Sequence, residues 1–356
     1  MTKNFEDKRI LITGGTGSLG KVFLRRILSG SEGNAKKIII FSRDEAKQHE
    51  IRVEYMKKTA PTDEIIYRGF QEKLEFRIGD VRDRNSLAGA LRGVDVVINA
   101  AALKQVPSCE YFPVEATLTN IMGAANITQI IRDQGLPVET VIGISTDKAV
   151  QPVNVMGMTK SIQERIFLSA NLDAPDTRYI LVRYGNVLAS RGSVIPLFCE
   201  QIKNGGPVTI TDDRMTRFLL SLEDAVDVIM AAYDKGRRGE TFIPIVPAAK
   251  IIDVAKVLIG DRDIPTTVTG IRPGEKLYES LLSEEEAVRT TRRGDYYVVE
   301  PILPELRKPK EAGAEYLTKA YTSSDDLMDI DGVQALLKKH DLLRIDDVHL
   351  DGEFLR

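Results

Sequence analysis

Arg9-Ile10-Leu11-Ile12-Thr13-Gly14-Gly15-Thr16-Gly17-Ser18-Leu19-Gly20 is the stretch that decides the fold. Five residues suited to a buried strand run straight into glycines, and an amphipathic segment, 21–28, follows. Strand, glycine-rich turn and helix in that order form a dinucleotide-binding fingerprint. Gly14 permits the tight turn, Gly17 lets the backbone approach a pyrophosphate, and Gly20 allows the helix to sit close to the strand. Thr16, Ser18 and Leu19 complete the turn, and a phosphate there would rest on unpaired N–H groups at the helix start.

Further short apolar runs recur at 37–41, 74–78, 94–99, 140–145 and 179–182, with helix-length segments between them. Such alternation predicts βαβ units, hence an α/β fold: a Rossmann-type, doubly wound parallel sheet covered on both faces. After residue 189 the rhythm changes to mixed strands, short helices and prolines. The expected division is a dinucleotide-binding domain over 1–190, rejoined by 222–245 through a helix at 222–233. A smaller α/β lobe and tail then take 191–221 and 246–356. Loops around Glu284–Glu286 and Arg292–Gly294 read as solvated.

The second strand ends Phe41-Ser42-Arg43-Asp44, with Lys47 one turn later. An acid at this point usually holds the adenosine ribose 2′-hydroxyl, whereas a guanidinium suits a 2′-phosphate. Arg43 and Lys47 therefore favour NADP. The alternative is a solvated charged face, with Asp44 on the ribose. Asp80 and Val81 after the third strand fit an adenine edge, and Ala100, Ala101 and Ala102 keep the fourth strand's exit narrow beside the cofactor.

Composition removes several classes of function. The 356 residues are 43% hydrophobic and 28% charged, enough to bury a sizeable core. Lys plus Arg number 49 and Asp plus Glu 52, giving a net charge of −3 that speaks against nucleic acid or a polybasic membrane surface. Two cysteines, Cys109 and Cys199, and three scattered histidines build neither a disulfide framework nor a zinc site. No apolar run approaches the ~20 residues of a membrane span, and the first eight residues are polar. A cytoplasmic protein is expected.

Ser145-Thr146-Asp147-Lys148 closes the fifth strand, at the carboxyl edge where ligands bind in such sheets. Met156-Gly157-Met158-Thr159-Lys160 begins eight residues after Lys148. With the glycine turn, this resembles the extended short-chain dehydrogenase/reductase family, whose signature is Tyr-x-x-x-Lys on one helix face. The resemblance gives Lys160 the nicotinamide ribose, and its charge would lower the pKa of the tyrosine. Here Met156 stands in the tyrosine's place, and a thioether carries no proton. Either chemistry has been lost or another group moves the proton. Asp147-Lys148, an adjacent acid and amine, favours the second: it is the equipment of an elimination.

Five segments sharpen the resemblance: 101–107 (AALKQVP), 145–150 (STDKAV), 183–187 (RYGNV), 215–218 (MTRF) and 272–276 (RPGEK). In that order they are similar to the UDP-N-acetylglucosamine 4,6-dehydratases of bacterial surface-polysaccharide synthesis. The tail, with 329–333 and 335–337, resembles the 5-inverting capsule and O-antigen branch that makes N-acetyl-L-fucosamine precursors. The resemblance implies a UDP-4-keto-6-deoxy-HexNAc product with C5 inverted, a lyase reaction with tightly bound NADP carrying hydride from C4 to C6. Lys148, as neutral amine, would remove the C5 proton. Asp147 would take the O4 proton and deliver it to the departing O6, with Thr146 orienting O4.

The same resemblance sets Asn120, Ser145, Tyr184, Asn186 and Val187 beside the cofactor. It makes Arg217 and Arg272 clamps for diphosphate or uridine ribose, with Glu275 on a ribose hydroxyl. Lys104 and Asn186 would approach phosphates and sugar, and Ser193, Val194 and Thr209 would shape the nucleobase end. It also implies a homo-oligomer, a dimer or hexamer. Two rivals stay open: a UDP-sugar 4-epimerase, and a non-catalytic NADP-binding sensor, which explains Met156 directly.

Overall fold

The computed structural model describes residues 4–57, 73–188, 193–307, 309 and 315–343. The first half runs β1 (Arg9–Thr13), α1 (Ser18–Leu28), β2 (Lys37–Ser42), α2 (Glu45–Lys57), β3 (Leu74–Ile78), α3 (Arg84–Leu91) and β4 (Val96–Asn99). Next come α4 (Val106–Tyr111), α5 (Pro113–Ala116), a π-helical turn (Thr117–Met122), α6 (Gly123–Gln134) and β5 (Thr140–Thr146). A 3₁₀ turn (Asp147–Ala149), α7 (Val155–Asp173) and β6 (Arg178–Tyr184) complete this half. All six strands read from the sequence are present, the fourth starting at Val96 rather than 94.

The second half carries β7 (Asn186–Val187), α8 (Val194–Lys203), β8 (Val208–Ile210), β9 (Thr216–Leu220), α9 (Leu222–Lys235), β10 (Thr241–Pro244), β11 (Ala248–Lys250) and α10 (Ile251–Ile259). It ends with β12 (Thr266–Val268), β13 (Ser280–Leu282), α11 (Glu284–Ala287), β14 (Thr290–Arg293), β15 (Tyr296–Val299), β16 (Tyr321–Thr322) and α12 (Ile330–Lys339).

Among the described residues, nine strands form one sheet in the order β14-β15-β10-β6-β5-β4-β1-β2-β3. From β3 to β10 every pairing is parallel, and β15 at the edge pairs antiparallel with both β10 and β14. Helical crossovers between successive strands make the sheet parallel and cover both of its faces. In β1, Ile10 and Ile12 face one core with α1 and α9, while Leu11 faces the other with α3, α6 and α7. A capping box between Ser221 and Asp224 starts α9, and its Val226 and Ile229 share the first core with Phe23 of α1.

The division drawn from sequence needs one correction. The change of rhythm in the sequence places 246–356 in the lobe, yet β14 and β15 lie within that range and extend the main sheet. The cause is edge pairing: β15 is antiparallel to β10, with Phe242 opposite Val298 and both in the buried core. The lobe has a core of its own, in which Val333 and Leu337 of α12 meet α8 and α10. Among the described residues, no helix is long and apolar enough to cross a membrane, and no cluster of His, Cys, Asp and Glu is placed to hold a metal ion.

Candidate active site

The glycine turn sits where β1 and β4 end side by side. Thr13 Oγ1 donates to Asn99 Oδ1 at 2.7 Å and accepts from the Ala101 N–H, so the turn and 100–102 are knit together. Gly14 has φ +67°, and a Cβ on it would lie 2.8 Å from the Ala101 backbone. Gly17 caps α1 without any side-chain acceptor, leaving the helix N–H groups for an anion. This cradle, which a Cβ would fill, fits a dinucleotide pyrophosphate.

At the adenosine end, Gln48 ties Ser42 to β3 by donating to the Ser42 carbonyl and hydroxyl and to the Arg77 carbonyl. Asp44 starts α2: it accepts from the Lys47 N–H at 3.0 Å and pairs with the Lys47 ammonium at 2.8 Å. The Lys47 hydrogen bonds hold the Asp44 carboxyl below its ordinary value. Arg43 keeps a side chain that is 55% exposed, 3.8 Å from Asp80. Asp80 also takes Arg82, which outweighs the effect of burial and lowers its pKa. Val81 lies in the core, its carbonyl accepting from Asn126.

The chemical corner forms where β5 ends against α7. The side chains of Asp147 and Glu279 are only 1% and 3% exposed, with Lys148 between them. Lys148 Nζ is 3.1 Å from Asp147 Oδ1 and 3.2 Å from Glu279 Oε1. Thr146 Oγ1 donates to the same Asp147 oxygen at 2.7 Å. Asp147 Oδ2 and Glu279 Oε2 are both buried and have no hydrogen-bond partner among the described residues. Burial works against the Lys148 charge, but Asp147 and Glu279 outweigh it and raise the pKa. Burial and the nearby Asp147 likewise raise Glu279. In this corner, the two carboxylates favour the ammonium form of Lys148.

Met156 and Lys160 both lie on α7, whose start is capped by Asn154. Met156 is buried with Cys109 and Ala116, and its carbonyl accepts from Thr159 Oγ1. Lys160 Nζ donates to the Ile144 carbonyl and to Gln163 Oε1, and burial pulls its pKa down to about 7. Asn120 is wholly engaged, bonded to both backbone groups of Leu103 and to Thr159 Oγ1, so it ties the 100–106 loop to α7.

Two expected ligands turn elsewhere. Ser145 Oγ donates to Glu164 at 2.6 Å on the face opposite Thr146, because successive strand residues alternate sides. Arg217 points its guanidinium at the carbonyls of Thr216, Lys276 and Leu277, with Glu279 3.8 Å away, so it braces the 276–279 segment. Thr209 is held by Gln201. Tyr184 is buried beside the first core, and burial raises its phenol pKa. Asn186 Oδ1 and Ser193 Oγ are buried without a partner among the described residues, at the start of the lobe. Val187 packs on the first core and Val194 on the lobe core. Lys104 and Arg272 are exposed, and Glu275 accepts from the Arg272 N–H.

Sequence reading missed Glu279, Lys276 and Asn154, which close the corner from the lobe. Asn154 donates to the Gly274 carbonyl and Lys276 to the Val150 carbonyl, both at 2.8 Å. The 272–276 motif marked the segment, but no periodicity in a loop says which side chains turn inward. Of the loops read as solvated, Glu284, Glu285, Arg292 and Gly294 are exposed, and the correction falls on Glu286, which is buried against Arg183.

A family model described as polysaccharide biosynthesis protein matches residues 10–301. The chain belongs to that family. A protein named UDP-glucose 4-epimerase from Rickettsia conorii is 46% identical over 298 residues, covering 82% of this chain and 83% of the relative. Its namesake from Rickettsia bellii is 45% identical with the same coverage. Among solved structures, Pen from Bacillus thuringiensis superposes with a TM-score of 0.84 at 32% identity, covering 95% of this chain and 99% of Pen. A dTDP-glucose 4,6-dehydratase from Streptomyces venezuelae, solved with NAD, gives 0.64 at 22% identity, covering 76% and 86% of the two chains, and shares the fold.

Proposed function

We propose that this protein is a UDP-N-acetylglucosamine 4,6-dehydratase, a lyase that forms a 4-keto-6-deoxy nucleotide sugar with C5 inverted. The observation that carries this reading is the Asp147–Lys148 pair at the end of β5, with Asp147 Oδ2 buried and unpartnered. Epimerisation at C4 moves one proton, at O4. Elimination of water moves two, one from C5 and one to O6, and so needs a second acid–base group.

A bound nicotinamide dinucleotide would supply the hydride acceptor and donor. The turn around Gly14, Gly17 and Gly20, Ala100–Ala102 and Lys160 would hold it. Arg43 supports NADP, since Asp44 is committed to Lys47 and the start of α2. With Met156 buried in apolar surroundings, Asp147 takes the O4 proton and returns it to O6, Thr146 orients O4, and Lys148 removes the C5 proton. Asn186 and Ser193 offer buried acceptors to the nucleotide sugar. The protein acts as a homo-oligomer through a face where Tyr111, Phe112, Val114, Met158 and Ile162 stand exposed on neighbouring helices and the turn between them.

The names of the Rickettsia relatives favour a second reading, a UDP-sugar 4-epimerase. Proton NMR of the protein with UDP-N-acetylglucosamine in D₂O separates the two. A 6-deoxy-4-keto product deuterated at C5 is expected. Formation of UDP-N-acetylgalactosamine without C5 deuterium would establish the epimerase instead.

A further inference from the structure

We propose that Glu279 is a positioning residue that acts through Lys148, accepting the proton Lys148 must lose before it can serve as a base. This inference rests on the dehydratase reading, which requires a neutral amine at C5. Glu279 reaches the corner from the other lobe, just ahead of β13, and its Oε1 lies 3.2 Å from Lys148 Nζ. Its second oxygen is buried and unpartnered. Two carboxylates with side chains only 1% and 3% exposed, Asp147 and Glu279, share one ammonium on a side chain that is 21% exposed, and like charges so placed favour a proton on one of them. Asp147 already accepts from Thr146, whereas Glu279 Oε2 has no partner among the described residues.

The transfer balances without a co-reactant. An N–H bond of Lys148 breaks, an O–H bond forms on Glu279, and the ion pair becomes a neutral pair. Lys148 then takes the C5 proton while the C5–H electrons pass into the C4 ketone as an enolate. The other charged groups facing the pair are Asp147 from the end of β5, Arg217 from β9 and Lys276 from the loop before β13. Because the pair carries its proton internally, the rate of C5 proton removal should not depend on pH while one proton is shared.

C5 exchange is followed by NMR in D₂O with the full chain, its bound cofactor and UDP-N-acetylglucosamine, between pH 6 and 8. The wild-type rate is expected to stay flat within about threefold. Glu279→Gln keeps the shape but accepts no proton, so Lys148 must lose its proton to solvent, and below its pKa the rate should climb about tenfold per pH unit. Glu279→Asp should restore a flat profile. A merely structural role would lower the rate by one factor at every pH, and that result overturns the proposal. A wild-type rate that itself climbs tenfold per unit overturns it too, whether or not Glu279→Gln folds. A wild-type product that is the C4 epimer with no C5 deuterium instead removes the dehydratase reading on which the proposal rests.

Discussion

Replacing Arg183 by Met tests how the two lobes are held in register around this corner. Arg183 lies on β6 with its side chain 4% exposed and its guanidinium shared by two acids. It donates to Glu164 of α7 at 2.7 and 2.9 Å and to Glu286 of α11 at 2.7 and 2.9 Å. A further bond reaches the Leu281 carbonyl at 3.1 Å, two residues beyond Glu279. Burial alone would raise the Glu286 carboxyl, but Arg183 outweighs it and holds the pKa at about 2, against an ordinary 4.5. That depression corresponds to about 3 kcal/mol of stability, present above pH 4.5 and lost as pH falls toward 2. Breaking a buried pair from one side costs about 3–5 kcal/mol, because the remaining charges stay buried and unpaired. The two figures agree.

Arg183→Met is therefore expected to lose about 3–5 kcal/mol at pH 7 in urea unfolding followed by circular dichroism. Its pH dependence should also weaken. Glu286 would keep Arg289, 3.5 Å away, but lose Arg183, so less of its pKa depression would survive. The variant should therefore lose less stability than the wild type as pH falls from 4.5 toward 2. Adding Glu286→Gln should return part of the loss. A cost under about 1 kcal/mol, or an unchanged pH dependence, would refute the assignment of this network as the clamp between β6, α7 and the lobe.

Four other outcomes follow from the site. Asp147→Asn should slow product formation about 10²–10⁴-fold, or ~3–5 kcal/mol of barrier, in the NMR assay, and a loss under tenfold removes Asp147 as the O4 and O6 proton carrier. Arg43→Ala should weaken NADPH about 10–100-fold, the worth of a charged hydrogen bond, while NADH binding changes less than about threefold in fluorescence titration. Equal weakening of both cofactors would show that Arg43 does not read the 2′-phosphate. In Gly20→Ala the new Cβ would sit 2.4 Å from the Gly15 carbonyl oxygen, so cofactor affinity should fall at least roughly tenfold with the fold retained by circular dichroism. Ile162→Glu should shift the sedimenting species to monomer; an oligomer that persists places the interface elsewhere.

Much of this architecture is written in local pattern. The apolar runs at 9–13 and 37–41 and the glycines after the first name their elements, because a strand buried on both faces must be mostly apolar. The edge strand at 74–78 instead alternates Leu74, Phe76 and Ile78 with charged residues. The turn's glycines are legible for the same kind of reason: a positive φ and a close approach leave few other residues possible. Asp147-Lys148 could be placed at a strand end and judged by its chemistry alone. Chain order also marked the helix at 222–233, seen as α9.

Tertiary structure decided what side chains met once the chain had closed. Whether Ser145 faces the cofactor edge or the Glu164 side depends on strand parity at β5, and a one-residue change of parity exchanges the two. Whether Arg217 grips a phosphate or a backbone depends on where the 276–279 segment passes. The charge on Lys148 depends on Glu279, which lies far along the chain, in a loop, and arrives only when the lobe docks. Local sequence carries the geometry of single elements, since neighbours in the chain set φ, ψ and period. Electrostatics at a buried corner is set by groups brought together from distant segments, and only the folded chain fixes those distances.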